Sequence, residues 1–146
     1  MKPVPELNLL VAWVGISLGF VSGLLLGLFF HREEWLGGYP SFRRRLYRLA
    51  HISFFGLGAV NLAFFFTVKS FPGAGPLQGI ASMAFVIGAI SMPICCILMA
   101  HFPKTRVLFG VPVLSLLLGG VITCLLVLHP QVPISERQDF VTTVQP

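Results

Sequence analysis

From Leu7 to Phe30 the chain runs 24 residues without one charged side chain. As a helix this stretch covers about 36 Å, enough to cross a hydrocarbon core about 30 Å thick with some tilt. Only a helix or a closed barrel satisfies every backbone N–H and C=O in lipid, and an unbroken apolar run has the helical pattern. Three further apolar runs follow, over His51–Val68, about Leu77–Ala100 and about Val107–Leu128. They close at Lys69-Ser70-Phe71-Pro72, His101-Phe102-Pro103-Lys104 and His129-Pro130. The pattern predicts an all-α integral membrane four-helix bundle over residues 1–130, followed by a polar tail over 131–146 that is expected to be flexible. Lys2 precedes the first run as in a signal peptide. That run is too long for a signal-peptide core, and no small-residue cleavage site precedes His31-Arg32-Glu33-Glu34, so a retained helix is expected.

Composition supports the same class. Only 10% of residues are charged, against about 25% in soluble domains. The net charge of +5 is concentrated beside apolar spans, with Arg32, Arg43, Arg44, Arg45 and Arg48 all in or next to the first loop. That distribution fits lipid headgroups and membrane topology, and it excludes a nucleic-acid face as the reading. Counting Lys and Arg, Lys104 and Arg106 add to the first loop's side, while Lys2, Lys69 and Arg137 lie opposite. Both termini are therefore expected outside, in an inner bacterial membrane. Trp35, Tyr39 and Tyr47 are placed in an aromatic belt at the cytoplasmic surface, with Trp13 near the other.

Local signals refine the spans. Ser41 is a candidate N-cap for a helix that begins at Phe42 and continues into the second span. The loop Phe71-Pro72-Gly73-Ala74-Gly75-Pro76 is turn-rich. The connection Phe102 to Arg106 is short enough to make helices 3 and 4 an antiparallel hairpin. Pro93 and Pro112 lie inside the third and fourth spans and are expected to kink them without breaking them.

Gly15, Gly19, Gly23 and Gly27 recur every four residues on helix 1. Such a ladder makes a shallow groove that lets another backbone approach closely. The plainer expectation is packing within the bundle; the sharper one is a partner helix, a second copy or a flat cofactor. Ser115, Gly119 and Thr123 on helix 4, and Ala84 and Gly88 on helix 3, are the expected counterparts. Asn61 lies in the second span, where an unpaired amide is costly. A bond to Ser91, Ser115 or Thr123 is expected, with a polar cavity as the alternative.

The four histidines lie at or near helix ends. His31, His51 and His101 are expected at one level on the basic side, and His129 on the other. Haem b needs two facing axial nitrogens. His51 and His101 are the candidates, with His31 as a substitute for either. Arg44, Arg48 and His51 share a helix face and suit haem propionates. The plainer expectation is that these histidines and arginines only mark the interface. Met92, Cys95, Cys96 and Met99 form a sulfur stripe on helix 3. Soft ligands favour Cu(I), but adaptable core packing around Pro93 is the simpler expectation.

No acidic residue lies in any span, which argues against a transporter driven by a buried carboxylate. No phosphate loop, carboxylate pair or nucleophile elbow is present in the sequence. Two readings result. In one, the chain is a subunit or assembly partner of a larger membrane complex, such as an electron-transfer complex, and is not catalytic on its own. In the other it is a small b-type cytochrome.

Overall fold

A computed structural model describes residues 5–71 and 75–128. His129, the tail over 131–146 and the loop residues 72–74 lie outside the described residues. Four long helices occur: α1 (Pro5–Phe29), α2 (Phe42–Ser70), α3 (Gly75–His101) and α4 (Gly110–Leu128). All four are long and apolar enough to cross a membrane, α4 together with the preceding 3-10 segment (Pro103–Phe109). Among the described residues there is no strand, and the helices form a four-helix bundle.

The helix ends follow from local chemistry. Pro5 has the fixed φ that suits a first helical turn, and Glu6 lies beside the positive end of the helix dipole. The Ser41 hydroxyl accepts from the Arg44 N–H at 3.2 Å, as its capping position predicts. The apolar second span therefore sits on a longer helix whose first turns are rich in arginine. The helix α3 continues through Pro93. Pro112 falls in the first turn of α4, where its missing N–H costs no helical bond. The fourth helix starts at Gly110 because the seven residues before it wind as a 3-10 segment.

Helices adjacent in sequence are adjacent in space, and α1 also touches α3. The glycine ladder faces α2, not the small residues of α3 and α4. A Cβ on Gly15 would lie 3.1 Å from the Phe54 carbonyl oxygen and 3.6 Å from the Gly58 Cα. Gly19 is covered by the Phe55 ring and Gly23 by the His51 ring, while nothing comes close to Gly27. The small residues of α3 and α4 pack on each other's helices: Gly88 lies against Leu116 and Ser115, and Gly119 against Phe85. Phe64, Val68, Ala81, Phe85 and Ile122 form a core joining α2, α3 and α4.

A buried polar cluster joins the first three helices. Asn8 donates to Asn61 Oδ1 at 2.8 Å and reaches the Ser82 carbonyl at 3.4 Å. The Ser82 hydroxyl donates back to Asn8 Oδ1, and Asn61 donates to the Leu57 carbonyl at 2.9 Å. Asn61 is thus paired, but with Asn8 and Ser82 in place of Ser91, Ser115 or Thr123. Asn8 lies in the first apolar run, where its single amide is easily passed over. No cavity is needed to satisfy Asn61.

Candidate functional site

Two regions stand out: an apolar groove within the span, and a collar of aromatic and basic side chains at the arginine-rich end.

The groove opens between α1 and α3 with α2 as its floor. Val14, Gly15 and Leu18 line one wall, Ala89 and Ile94 the other, and Phe54 and Gly58 the base. Its volume is about 420 Å³. Asn8 and Ser82 tie α1 to α3 at the end away from the arginines, so the groove lies on the arginine side of that tie. Gly15 on the wall and Gly58 in the base keep the groove open, since their backbones meet where side chains would otherwise fill the space.

The collar is built by the loop that follows α1. Leu36, Gly37 and Gly38 all have positive φ, at 58°, 86° and 91°. For Leu36 this left-handed geometry costs about 1 kcal/mol or more. The Ser41 hydroxyl donates to the Leu36 carbonyl at 2.7 Å and holds the reversal in place. The reversal turns Trp35 and Tyr39 back toward the start of α2. The Trp35 ring stacks on Phe29 at 5.6 Å, and Tyr39 meets Phe30 edge-on at 5.9 Å.

Arg44 lies at the centre of this arrangement. Its guanidinium carbon is 4.8 Å from the Phe30 ring, 4.8 Å from the Tyr39 ring and 5.8 Å from Trp35. Its Nη2 donates to the Phe30 carbonyl at 3.0 Å. Arg44 is 1% exposed, whereas its neighbours Arg43 and Arg45 are exposed. Arg48 lies over the other occupied part of the collar, 5.1 Å from the Tyr39 ring. The expected face of Arg44, Arg48 and His51 exists, and each member already has a neighbour within the chain. Trp35 and Tyr39, read from the sequence as belt residues, are arginine contacts.

The three described histidines separate. Ser22 Oγ is 2.9 Å from His51 Nδ1 in the α1–α2 seam, and the ring meets Phe55 edge-on. His101 Nε2 is 2.9 Å from the Tyr47 hydroxyl in the α2–α3 seam. His31 is exposed beside the collar. His51 packs on Gly23, six residues before α1 ends at Phe29, so it lies about 9 Å inside that end, whereas His31 lies beyond it. The shared level expected for these histidines is therefore not found. A position near an apparent span end does not fix depth, because the packing of α2 against α1 seats His51 on Gly23.

The sulfur stripe sits in and around the α3 packing surface. Cys96 is fully buried, and Cys95 is buried with its thiol 3.4 Å from the Leu108 carbonyl. Met92 and Met99 are half-buried. Among the described residues, no three His, Cys, Asp or Glu side chains converge as metal ligands.

Four membrane-length helices, short connections and an arginine collar at one end define a small polytopic membrane protein. No protein-family model, curated protein or solved structure matches the chain.

Proposed function

We propose that this protein is a non-catalytic subunit or assembly partner of a larger membrane complex, with an electron-transfer complex as the candidate setting. The observation that carries the reading is the groove between α1 and α3. The groove between α1 and α3, with Gly15 on its wall and Gly58 in its base, makes a seat for a third helix. Small residues at the contact allow the close approach that favours helix association in lipid, where van der Waals packing replaces the hydrophobic effect as the driving force. The glycine ladder itself is covered by α2 at Gly15, Gly19 and Gly23, leaving only Gly27 open. Self-association through the ladder is therefore disfavoured, and the groove takes its place as the docking surface. The arginine-rich end faces the cytoplasm in this reading.

Photo-crosslinking in native membranes tests it. A photoreactive side chain at Val14 or Ile94 should give an adduct with one discrete membrane protein. The same probe at Leu117, on the exposed side of α4, should give lipid adducts only. Ala89→Trp should fill the groove and abolish the protein adduct while helicity is kept. Lipid adducts alone from all three probe positions, with a native mass equal to one chain, would refute the proposal.

A further inference from the structure

Beside Arg44 lies a cleft of about 520 Å³, lined by Phe30, His31, Glu33, Tyr39 and Arg44. We propose that this cleft binds the phosphate of an anionic lipid headgroup, with Arg44 as the principal cation.

The argument starts from an incomplete set of partners. Arginine stays charged at any physiological pH. Arg44 is 1% exposed, yet among the described residues its only hydrogen-bond acceptor is the neutral Phe30 carbonyl. Its Nε is enclosed and has no hydrogen-bond partner among them. Among the described residues the ion pair is Lys69–Glu6, which joins the opposite end of α2 to the start of α1. Arg44 thus has no carboxylate counter-ion there. The Phe30, Tyr39 and Trp35 rings stabilise a cation through their faces. They leave its charge uncancelled, and they offer no acceptor in the guanidinium plane. A buried charge that lacks a counter-ion is costly, so an anion entering the cleft removes a penalty already present in the fold.

The surroundings favour phosphate. The guanidinium fork pairs well with two oxygens of one tetrahedral anion. His31 and Tyr39 line the same cleft, and each carries a group able to donate. Arg48, stacked on Tyr39, adds a second positive charge nearby, as does Arg32 over Phe29. Glu33 also lines the cleft and is the opposing group, since its negative charge competes with an incoming anion. The source of the anion follows from depth. The cleft lies where α1 ends at Phe29 and the apolar part of α2 has not begun. That is headgroup level, where anionic lipid is far more concentrated than soluble phosphate.

The test uses the full chain, delipidated in mild detergent and offered phosphatidylglycerol, phosphatidylcholine or inorganic phosphate. Native mass spectrometry counts retained molecules. One phosphatidylglycerol should be held per chain, with at least a tenfold preference over phosphatidylcholine. Arg44→Gln should lose that preference. Arg43→Gln, a change at an exposed arginine lining a different cleft, should alter it less than twofold. Glu33→Gln should tighten retention severalfold, a gain that misfolding cannot produce. Equal retention of the two lipids, or no change in Arg44→Gln, would overturn the proposal. Retention of inorganic phosphate without a lipid preference would overturn the lipid assignment in favour of a soluble phosphate.

Discussion

The Asn8–Asn61–Ser82 cluster lends itself to a double-mutant cycle. Asn8 and Asn61 are 0% exposed and Ser82 is 4% exposed. Asn8→Ala removes its bond to Asn61, its longer contact with the Ser82 carbonyl, and the acceptor of the Ser82 hydroxyl. Interhelical hydrogen bonds in membranes average about 0.6 kcal/mol and reach about 1.7 kcal/mol. With two good bonds lost, Asn8→Ala should destabilise by about 1–3 kcal/mol. The cost is concentrated in stranding the Asn61 carbonyl and the Ser82 hydroxyl, because each buried polar group without a partner carries its own desolvation penalty. Asn61→Ala should cost a similar amount. The double variant should then fall short of the sum by about 0.6–1.7 kcal/mol, since the bond between the two is lost only once. The measurement is unfolding by a denaturing detergent in mild micelles, followed by circular dichroism. Additivity within about 0.3 kcal/mol would refute the cluster as an interacting unit. Because Asn8 and Ser82 tie α1 to α3 at one end of the groove, Asn8→Ala should also weaken the Val14 crosslink.

Further predictions concern the ladder and the histidines. Gly23→Ala places a Cβ about 2.8 Å from His51 Cε1, so it should destabilise the α1–α2 pair by about 1–3 kcal/mol, read by the same unfolding assay. Gly27→Ala meets no neighbour and should unfold no earlier than the parent chain. Haem ligation by His51 and His101 would have to bring together two rings that contact Ser22 and Tyr47 in two different seams. Protein purified from haem-replete cells should show no Soret band; a band lost in both His51→Ala and His101→Ala would establish the cytochrome reading instead. Leu36→Gly relieves the left-handed strain at a φ of 58° and should raise stability by a few tenths to about 1 kcal/mol. Far-UV unfolding curves report the sign, and a loss greater than 1 kcal/mol would count against a strained reversal.

Several features were legible from local pattern. The span of α1 was found to within a few residues because transfer of apolar side chains into lipid depends on composition over a window. The Ser41 cap was legible because capping involves neighbours within one turn. The ladder was legible as a packing surface from its period of four. Its partner was not, and neither was the partner of Asn61, since spacing along one helix says nothing about which face of another turns toward it.

The amino-acid sequence by itself determined a membrane-spanning, four-helix chain with a basic end. Those properties rest on hydrophobicity and backbone hydrogen bonding within each segment. Only the tertiary structure decided what the polar residues do. Arg43, Arg44 and Arg45 look alike in sequence, yet successive helical residues turn by about 100°, and only Arg44 comes beneath the folded loop. Asn8 sits unremarked in an apolar run until α2 and α3 bring Asn61 and Ser82 against it. His31, His51 and His101 separate for the same reason. Helix rotation and depth are fixed by packing between segments, and that packing separates the buried arginine from the exposed ones.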